Sequence, residues 1–297
     1  MGNLLMDNLT KWSLEYPLSI DQVDLPELQQ QDLRLDILRL DKIHPIISGN
    51  KWFKLKGYLR LAAASGSRHI ITFGGAWSNH IIATAYAAKI TGLEATGIIR
   101  GERPAHLSPT LRAAGEYGMD LSFISREEYR KKEDPAFVEA LKARFPGSLV
   151  IPEGGAGEPG IEGCIDILRS VESAGYSHIL CAVGTGTTFE GLSRAALPEQ
   201  QVIGVAVLKG LQGQPAGIIT DYHFGGYARH TGELISLMNR FYRTTGIPSD
   251  FVYTGKLFYG VLDMISKNLF PPRSRLLVIH SGGLQGNQSL SAQILDF

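Results

Sequence analysis

The sequence predicts an α/β protein made of two three-layer domains with mostly parallel sheets. Three observations carry that expectation. Short, continuously apolar runs recur along the chain, such as Ile70-Ile71-Thr72-Phe73 and Leu276-Leu277-Val278-Ile279. A strand apolar on both faces is buried on both faces, which is the condition of a parallel sheet. Each such run is followed by a segment of helical periodicity, the alternation expected of parallel strands joined by crossover helices. The length, 297 residues and 32.4 kDa, suits one large domain or two smaller ones.

In chain order, strands are expected at Leu33–Leu40, His69–Phe73, Ala95–Arg100, Asp120–Ser125, Ser148–Ile151, His178–Val183, Val202–Leu208 and Arg275–His280. Helices are expected near 51–65, 79–91, 108–118, 135–144, 160–174, 188–196, 229–245 and 255–269. The charge run Arg126 to Glu133 reads as the solvated start of a helix. The glycine-rich stretch Gly154 to Gly163 is a candidate crossing point between domains. The polar stretch Gly210 to Arg229 is long enough for a functional loop.

Composition excludes several classes. Hydrophobic residues at 44% and charged residues at 20% belong to a globular chain, not a disordered or fibrous one. Twenty-nine basic residues balance 29 acidic ones, which argues against binding nucleic acid by phosphate neutralisation. No apolar run reaches the ~18 residues of a membrane span. Met1 to Trp12 lacks the pattern of a signal peptide, and Met6 is wrong for myristoylation. Cys164 and Cys181 make neither a disulfide framework nor metal-ligand spacing; no metal site and a reducing, cytoplasmic setting are expected.

Four constellations stand out. In Ser48-Gly49-Asn50-Lys51 a lysine opens a helix. The positive end of a helix dipole lowers a lysine pKa, which suits a Schiff-base amine; a plain surface lysine is the alternative. In Gly74-Gly75-Ala76-Trp77-Ser78-Asn79-His80 a glycine turn leads into a helix. Ser78 or Asn79 would cap it, and the three polar side chains together could grip a carboxylate. Gly184-Thr185-Gly186-Thr187-Thr188 joins a strand to a helix, so that backbone amides, three hydroxyls and the helix dipole converge on a phosphate-sized anion. It is neither a Walker loop nor a dinucleotide fingerprint: no Gly-Lys-Ser/Thr follows, and the sixth position is Phe189. Last come Tyr253-Thr254-Gly255-Lys256 and His280-Ser281-Gly282-Gly283, the latter closing a buried strand.

Taken in order with Pro152-Glu153-Gly154-Gly155, these motifs resemble the pyridoxal-5'-phosphate enzymes of the tryptophan-synthase-β-like fold (fold type II). More narrowly, they resemble the D-cysteine desulfhydrase and 1-aminocyclopropane-1-carboxylate deaminase family. The resemblance runs from about Leu33 to the C-terminus and is specific as a set. It implies that Lys51 joins the cofactor as a Schiff base and later moves the α-proton. Asn79 would bond the cofactor's phenolic oxygen, and Gly184, Thr185, Gly186, Thr187 and Thr188 would hold its phosphate. Thr254 would face the pyridine nitrogen with Ser281 beside the cofactor. Ser78, with Asn79 and His80, would bind the substrate carboxylate, and Tyr227 and Tyr253 would flank the substrate.

The deaminase branch carries Glu where Thr254 stands and Leu where Ser281 stands. A neutral hydroxyl holds the ring nitrogen's proton less firmly than a carboxylate, which favours prompt loss of a β-substituent. The resemblance therefore points first to D-cysteine going to pyruvate, sulfide and ammonia. Deamination of 1-aminocyclopropane-1-carboxylate is the alternative, and a non-catalytic cofactor- or nucleotide-binding protein is a remote one. Trp77, in place of the usual Gln, and Leu284-Gln285-Gly286 depart from the family pattern. The resemblance also implies a homodimer, a larger domain of 1–55 and 156–297, and an inserted smaller domain of 56–155 with the cofactor in the cleft between them.

Overall fold

A computed structural model describes residues 16–210 and 215–297. Met1 to Trp12 and part of the polar stretch after Gly210 lie outside the described residues. In chain order the elements begin β1 (Ile20–Val23), α1 (Pro26–Gln30), β2 (Arg34–Arg39), α2 (Asn50–Ser65), β3 (His69–Gly74) and α3 (Asn79–Thr91). There follow β4 (Glu94–Arg100), α4 (Pro109–Glu116), β5 (Met119–Ile124), α5 (Arg126–Tyr129), α6 (Pro135–Arg144), β6 (Ser148–Ile151) and α7 (Glu158–Arg169). The last are β7 (His178–Val183), α8 (Thr187–Ala195), β8 (Gln201–Ala206), β9 (Ile218–Ile219), α9 (Gly232–Thr245), α10 (Thr254–Ser266) and β10 (Arg275–His280).

The chain divides into two units. Among the described residues the first holds 44–47 and 51–163, and the second holds 16–43, 48–50 and 164–297. The boundaries thus differ from the expected 55/56 and 155/156, and the shift has a packing cause. A Cβ on Gly57 of α2 would lie 1.8 Å from the Pro159 carbonyl oxygen, and one on Gly163 of α7 would lie 2.0 Å from that of Phe53. Two glycines let the backbones of α2 and α7 touch. That draws the first turns of both helices into the first unit.

The first unit is built on a four-stranded sheet, β5-β4-β3-β6, with every pair parallel. Ile71, Phe73 and Ile98 meet Tyr129 and Leu141 in its core. The second unit has a six-stranded sheet, β1-β2-β10-β7-β8-β9, in which only the β1–β2 pair is antiparallel. All six residues of β7 are buried, so the sheet is covered on both faces. Val278 of β10 stands in register with Ile37 of β2 and Leu180 of β7. These side chains join Phe241 and Phe258 in the core. The α/β class with mostly parallel sheets is as the sequence implies.

All eight expected strands and eight expected helices form, with ends shifted by a few residues. Three short elements carry no sequence signal of their own: β1, α1 and β9. The two residues of β9 are a strand only because they pair with Gly204 and Val205. The charge run does open on a helix. Ser125 accepts from the Glu128 N–H at 3.1 Å, and Glu128 Oε2 accepts from the Ser125 N–H at 3.1 Å, a reciprocal capping box. Ser125→Ala is expected to lower stability by about 1 kcal/mol and leave turnover unchanged. Thermal unfolding and a rate assay check it. Among the described residues no helix is long and apolar enough to cross a membrane.

Candidate active site

In the second unit β2, β10 and β7 lie side by side and parallel. Their carboxyl ends open the loops that carry Ser48-Gly49-Asn50, Ser281 and Gly184–Thr188. This is the edge where open α/β sheets bind ligands. The first two loops are locked together. The Asn50 N–H donates to the Ser281 carbonyl at 3.3 Å, and the Gly49 N–H to that of Leu40 at 2.7 Å. Gly49 sits at φ 71°, and a Cβ there would lie 1.8 Å from the Ser281 oxygen. Only glycine fits that turn.

The glycine–threonine loop leads into α8. Gly186 takes the N-cap position at φ 80° with no side-chain cap. The first-turn amides of a helix have no acceptor within it, so they are available to an anion. Thr185 is exposed at the mouth, and its Oγ1 lies 2.9 Å from that of Thr187. The sequence leads one to expect all three hydroxyls on one anion. Thr188 is buried and accepts from Asn50 Nδ2 at 2.9 Å. Its side chain anchors the residue that precedes Lys51 and, having only accepted, keeps its own proton to donate beside its N–H.

Tyr253 and Tyr227 extend this cluster. A Cβ on Gly184 would lie 3.1 Å from Tyr253 Cε1, so the ring covers that glycine. The Tyr227 ring, 48% exposed, meets Tyr253 edge to face at a centroid distance of 6.2 Å. Thr254 is wholly buried. Its hydroxyl donates to Asp250 Oδ1 at 2.7 Å and accepts from the Asp250 N–H at 2.7 Å. A hydroxyl has one proton, so Thr254 has only a lone pair left for any further neighbour. The expectation of a plain neutral hydroxyl omits the carboxylate behind it. Asp250 also accepts from the N–H groups of Val252, Tyr253 and Thr254 at 2.9–3.0 Å. Asp250 stands three residues ahead of the N-cap position, Tyr253, where no helix-start signal applies, so the sequence reading misses it.

The first unit carries Lys51, Ser78, Asn79 and His80. Lys51 is the second residue of α2, half-buried, in a first turn without an acidic residue. Ser78 caps α3 by accepting from the Ile81 N–H at 3.3 Å, which leaves its own proton to donate. Gly74, at the carboxyl end of β3, makes room for it: a Cβ there would lie 2.6 Å from Ser78 Oγ. Asn79 opens the helix, half-buried. His80 departs from expectation. Thr72 donates its proton to the Ile151 carbonyl at 2.9 Å, so it accepts from His80 Nε2–H at 2.8 Å. This network assigns the tautomer. Nδ1 is then a bare acceptor, with no hydrogen-bond partner. Burial, then the charges of Lys51 and Lys54, hold the imidazolium pKa well below its usual value. Neutral and with its one proton committed, the His80 side chain has no donor for a carboxylate, against the sequence expectation.

These groups suit pyridoxal phosphate. In the second unit the α8 amides and the Thr185–Thr187 hydroxyls match a phosphate monoester and the Tyr253 ring offers a flat wall; in the first, Lys51 offers an amine at a helix start. When bound, the cofactor supplies an electron sink for negative charge at a substrate α-carbon. Fold and site together define a pyridoxal-phosphate-dependent enzyme.

Comparison with known proteins narrows the class. The chain is 32% identical to a Pyrococcus abyssi protein and 30% to one of Pyrococcus horikoshii, both provisionally named 1-aminocyclopropane-1-carboxylate deaminase, with 81% of each chain covered. It is 30% identical to the Arabidopsis thaliana mitochondrial bifunctional D-cysteine desulfhydrase/1-aminocyclopropane-1-carboxylate deaminase, over 91% of this chain and 77% of that one. The crystal structure of a 1-aminocyclopropane-1-carboxylate deaminase homologue superposes with a TM-score of 0.78 at 27% identity, covering 97% of both chains. O-ureido-L-serine synthase shares the fold, with a TM-score of 0.69 at 15% identity over 95% of this chain and 93% of its own. No family model matches. The chain belongs to the family of 1-aminocyclopropane-1-carboxylate deaminases and D-cysteine desulfhydrases, pyridoxal-phosphate enzymes of deamination and elimination.

Proposed function

We propose that this enzyme removes the β-substituent and the amino group of a small D-amino acid, D-cysteine first, releasing pyruvate, sulfide and ammonia. The observation that carries the reading is the pair of hydroxyl residues, Thr254 and Ser281, where the deaminase branch carries Glu and Leu. Asp250 stands behind Thr254. At one hydrogen bond's remove it stabilises a proton on the ring nitrogen less than a carboxylate in direct contact would. A ring nitrogen held this way would make the cofactor a shallower electron sink, which would favour early loss of a β-leaving group.

In this reading Lys51 bonds the cofactor and moves the α-proton. The amides and hydroxyls of Gly184–Thr188 hold the phosphate. Asn79 bonds the phenolic oxygen, and Thr254 and Ser281 line the ring edge. Ser78 and Asn79, with the first-turn amides of α3, bind the substrate carboxylate. Tyr227 and Tyr253 flank the substrate. The names of the archaeal relatives favour a second reading, deamination of 1-aminocyclopropane-1-carboxylate. Cys164 and Cys181, buried as thiols, support a reducing, cytoplasmic setting. Family resemblance supports a homodimer, which sedimentation would test.

The deciding experiment supplies the purified holoenzyme with D-cysteine, L-cysteine and 1-aminocyclopropane-1-carboxylate separately, with sulfide, pyruvate and ammonia quantified. Sulfide and pyruvate in equal amounts from D-cysteine, with at least ~10-fold lower kcat/KM for the other two, is the expected result, a difference of about 1.4 kcal/mol in barrier. Ammonia from the cyclopropane substrate without sulfide from either cysteine would transfer the assignment to the second reading.

A further inference from the structure

Lys256 has no part in the roles above, yet its side chain is wholly buried. It lies in the first turn of α10, two residues after Thr254. Its Nζ donates to the carbonyl oxygens of Gly226 at 2.6 Å, His223 at 2.9 Å and Val207 at 3.5 Å. Three N–H bonds thus meet three carbonyls, one just past β8 and two in the loop that presents Tyr227. Burial lowers its pKa to about 8 and Asp250 pulls the other way, so the ammonium is charged at neutral pH.

The loop needs such an anchor. Phe224, Gly225, Gly226 and Ala228 have φ of 49°, 88°, 115° and 52°. Phe224 and Ala228 are thereby held in a region that L-residues disfavour. The Phe224 ring packs on Tyr259 at 4.7 Å and secures the start of the turn. The peptide that leads directly into Tyr227 is gripped at its carbonyl by Lys256. Tyr253 precedes Lys256 by three residues, and its ring meets that of Tyr227. One buried ammonium therefore links the two tyrosines through backbone alone.

We propose that Lys256 is a positioning residue, whose ammonium holds the Tyr227 loop on the Tyr253–Thr254 turn and so sets the two aromatic rings that flank the substrate. The substrate part rests on the reading of Tyr227 and Tyr253 given above; the anchoring part does not.

The test compares wild type with Lys256→Met, which keeps length and loses every donor, and with Lys256→Gln, which keeps a neutral donor. Amide hydrogen exchange is followed in residues 222–229, with Arg275–His280 of β10 as the control for global unfolding. The expected result is at least ~10-fold faster exchange in the loop of Lys256→Met, unchanged exchange in β10 and an intermediate rate for Lys256→Gln. With whichever amino acid the wild type turns over, KM should rise about 10-fold while kcat stays within about 3-fold, the signature of lost binding rather than lost chemistry. Lys256→Ala should regain slow loop exchange on addition of propylammonium chloride, which replaces the missing side chain. Unchanged loop exchange in both Lys256→Met and Lys256→Gln overturns the proposal, whatever turnover does. Equal acceleration in loop and β10 also overturns it, since Lys256 would then only hold the fold. Faster loop exchange with an unmoved KM overturns the substrate part and removes Tyr227 and Tyr253 from the substrate.

Discussion

Lys51→Ala is expected to purify without the visible absorption band of bound pyridoxal phosphate and to lose turnover by at least ~10³-fold, about 4 kcal/mol of barrier. The argument starts from position. Lys51 is the second residue of α2, and no acid in that turn offsets the helix dipole. A lysine amine is a side chain that can form a Schiff base with the cofactor's aldehyde. Its backbone is held on the preceding side by Asn50, which bonds both Thr188 and the Ser281 carbonyl. Lys51→Arg serves as the partner variant, since it keeps the charge and cannot form the bond. The expected outcome is the same loss of band and rate in both. A normal rate in Lys51→Arg would mean that position 51 supplies only charge, and the Schiff-base assignment would fall.

Gly49→Ala should unfold at lower temperature and bind the cofactor more weakly. Two costs add. A left-handed backbone at φ 71° costs a non-glycine residue ~1–2 kcal/mol. A methyl group 1.8 Å from the Ser281 oxygen must also push one loop off the other, an overpacking cost of ~1–3 kcal/mol. The sum, roughly 2–5 kcal/mol, shifts Tm by several degrees in a protein of this size. The displaced loop is the one that ends at Lys51, so cofactor affinity should fall with stability. Gly186→Ala is the control. That glycine also has positive φ, but its added methyl would meet no atom within 4 Å, so it bears the backbone cost alone. Equal effects from the two variants would show that the contact with Ser281 contributes nothing.

Much of the fold is legible because each sheet is parallel and covered. Its strands read as plain apolar runs, as in Ile70-Ile71-Thr72-Phe73, and its crossovers as helical periods. The elements that escape have no internal pattern long enough to read. β9 is two residues long, and β1 is four. The candidate site is legible where glycine and hydroxyl residues cluster at strand ends, since few folds need Gly-Thr-Gly-Thr-Thr for packing alone. It is not legible where a side chain's partner is remote in sequence. Thr188 belongs to the loop motif, yet its hydroxyl faces Asn50, 138 residues away. His80 has the look of a carboxylate ligand until Thr72 and Ile151 fix its proton.

By itself, then, the sequence determined the α/β class, the order of the elements and the identity of the chemistry-bearing loops. These follow from periodicity and turn chemistry, which act over a few residues. Only the tertiary structure decided which hydroxyls remain free, which tautomer His80 adopts, that Asp250 stands behind Thr254, and that Lys256 grips the Tyr227 loop. A hydroxyl or an imidazole has few protons to give. Where each proton goes is set by whichever acceptor the fold brings to within about 3 Å, and no local pattern records that neighbour.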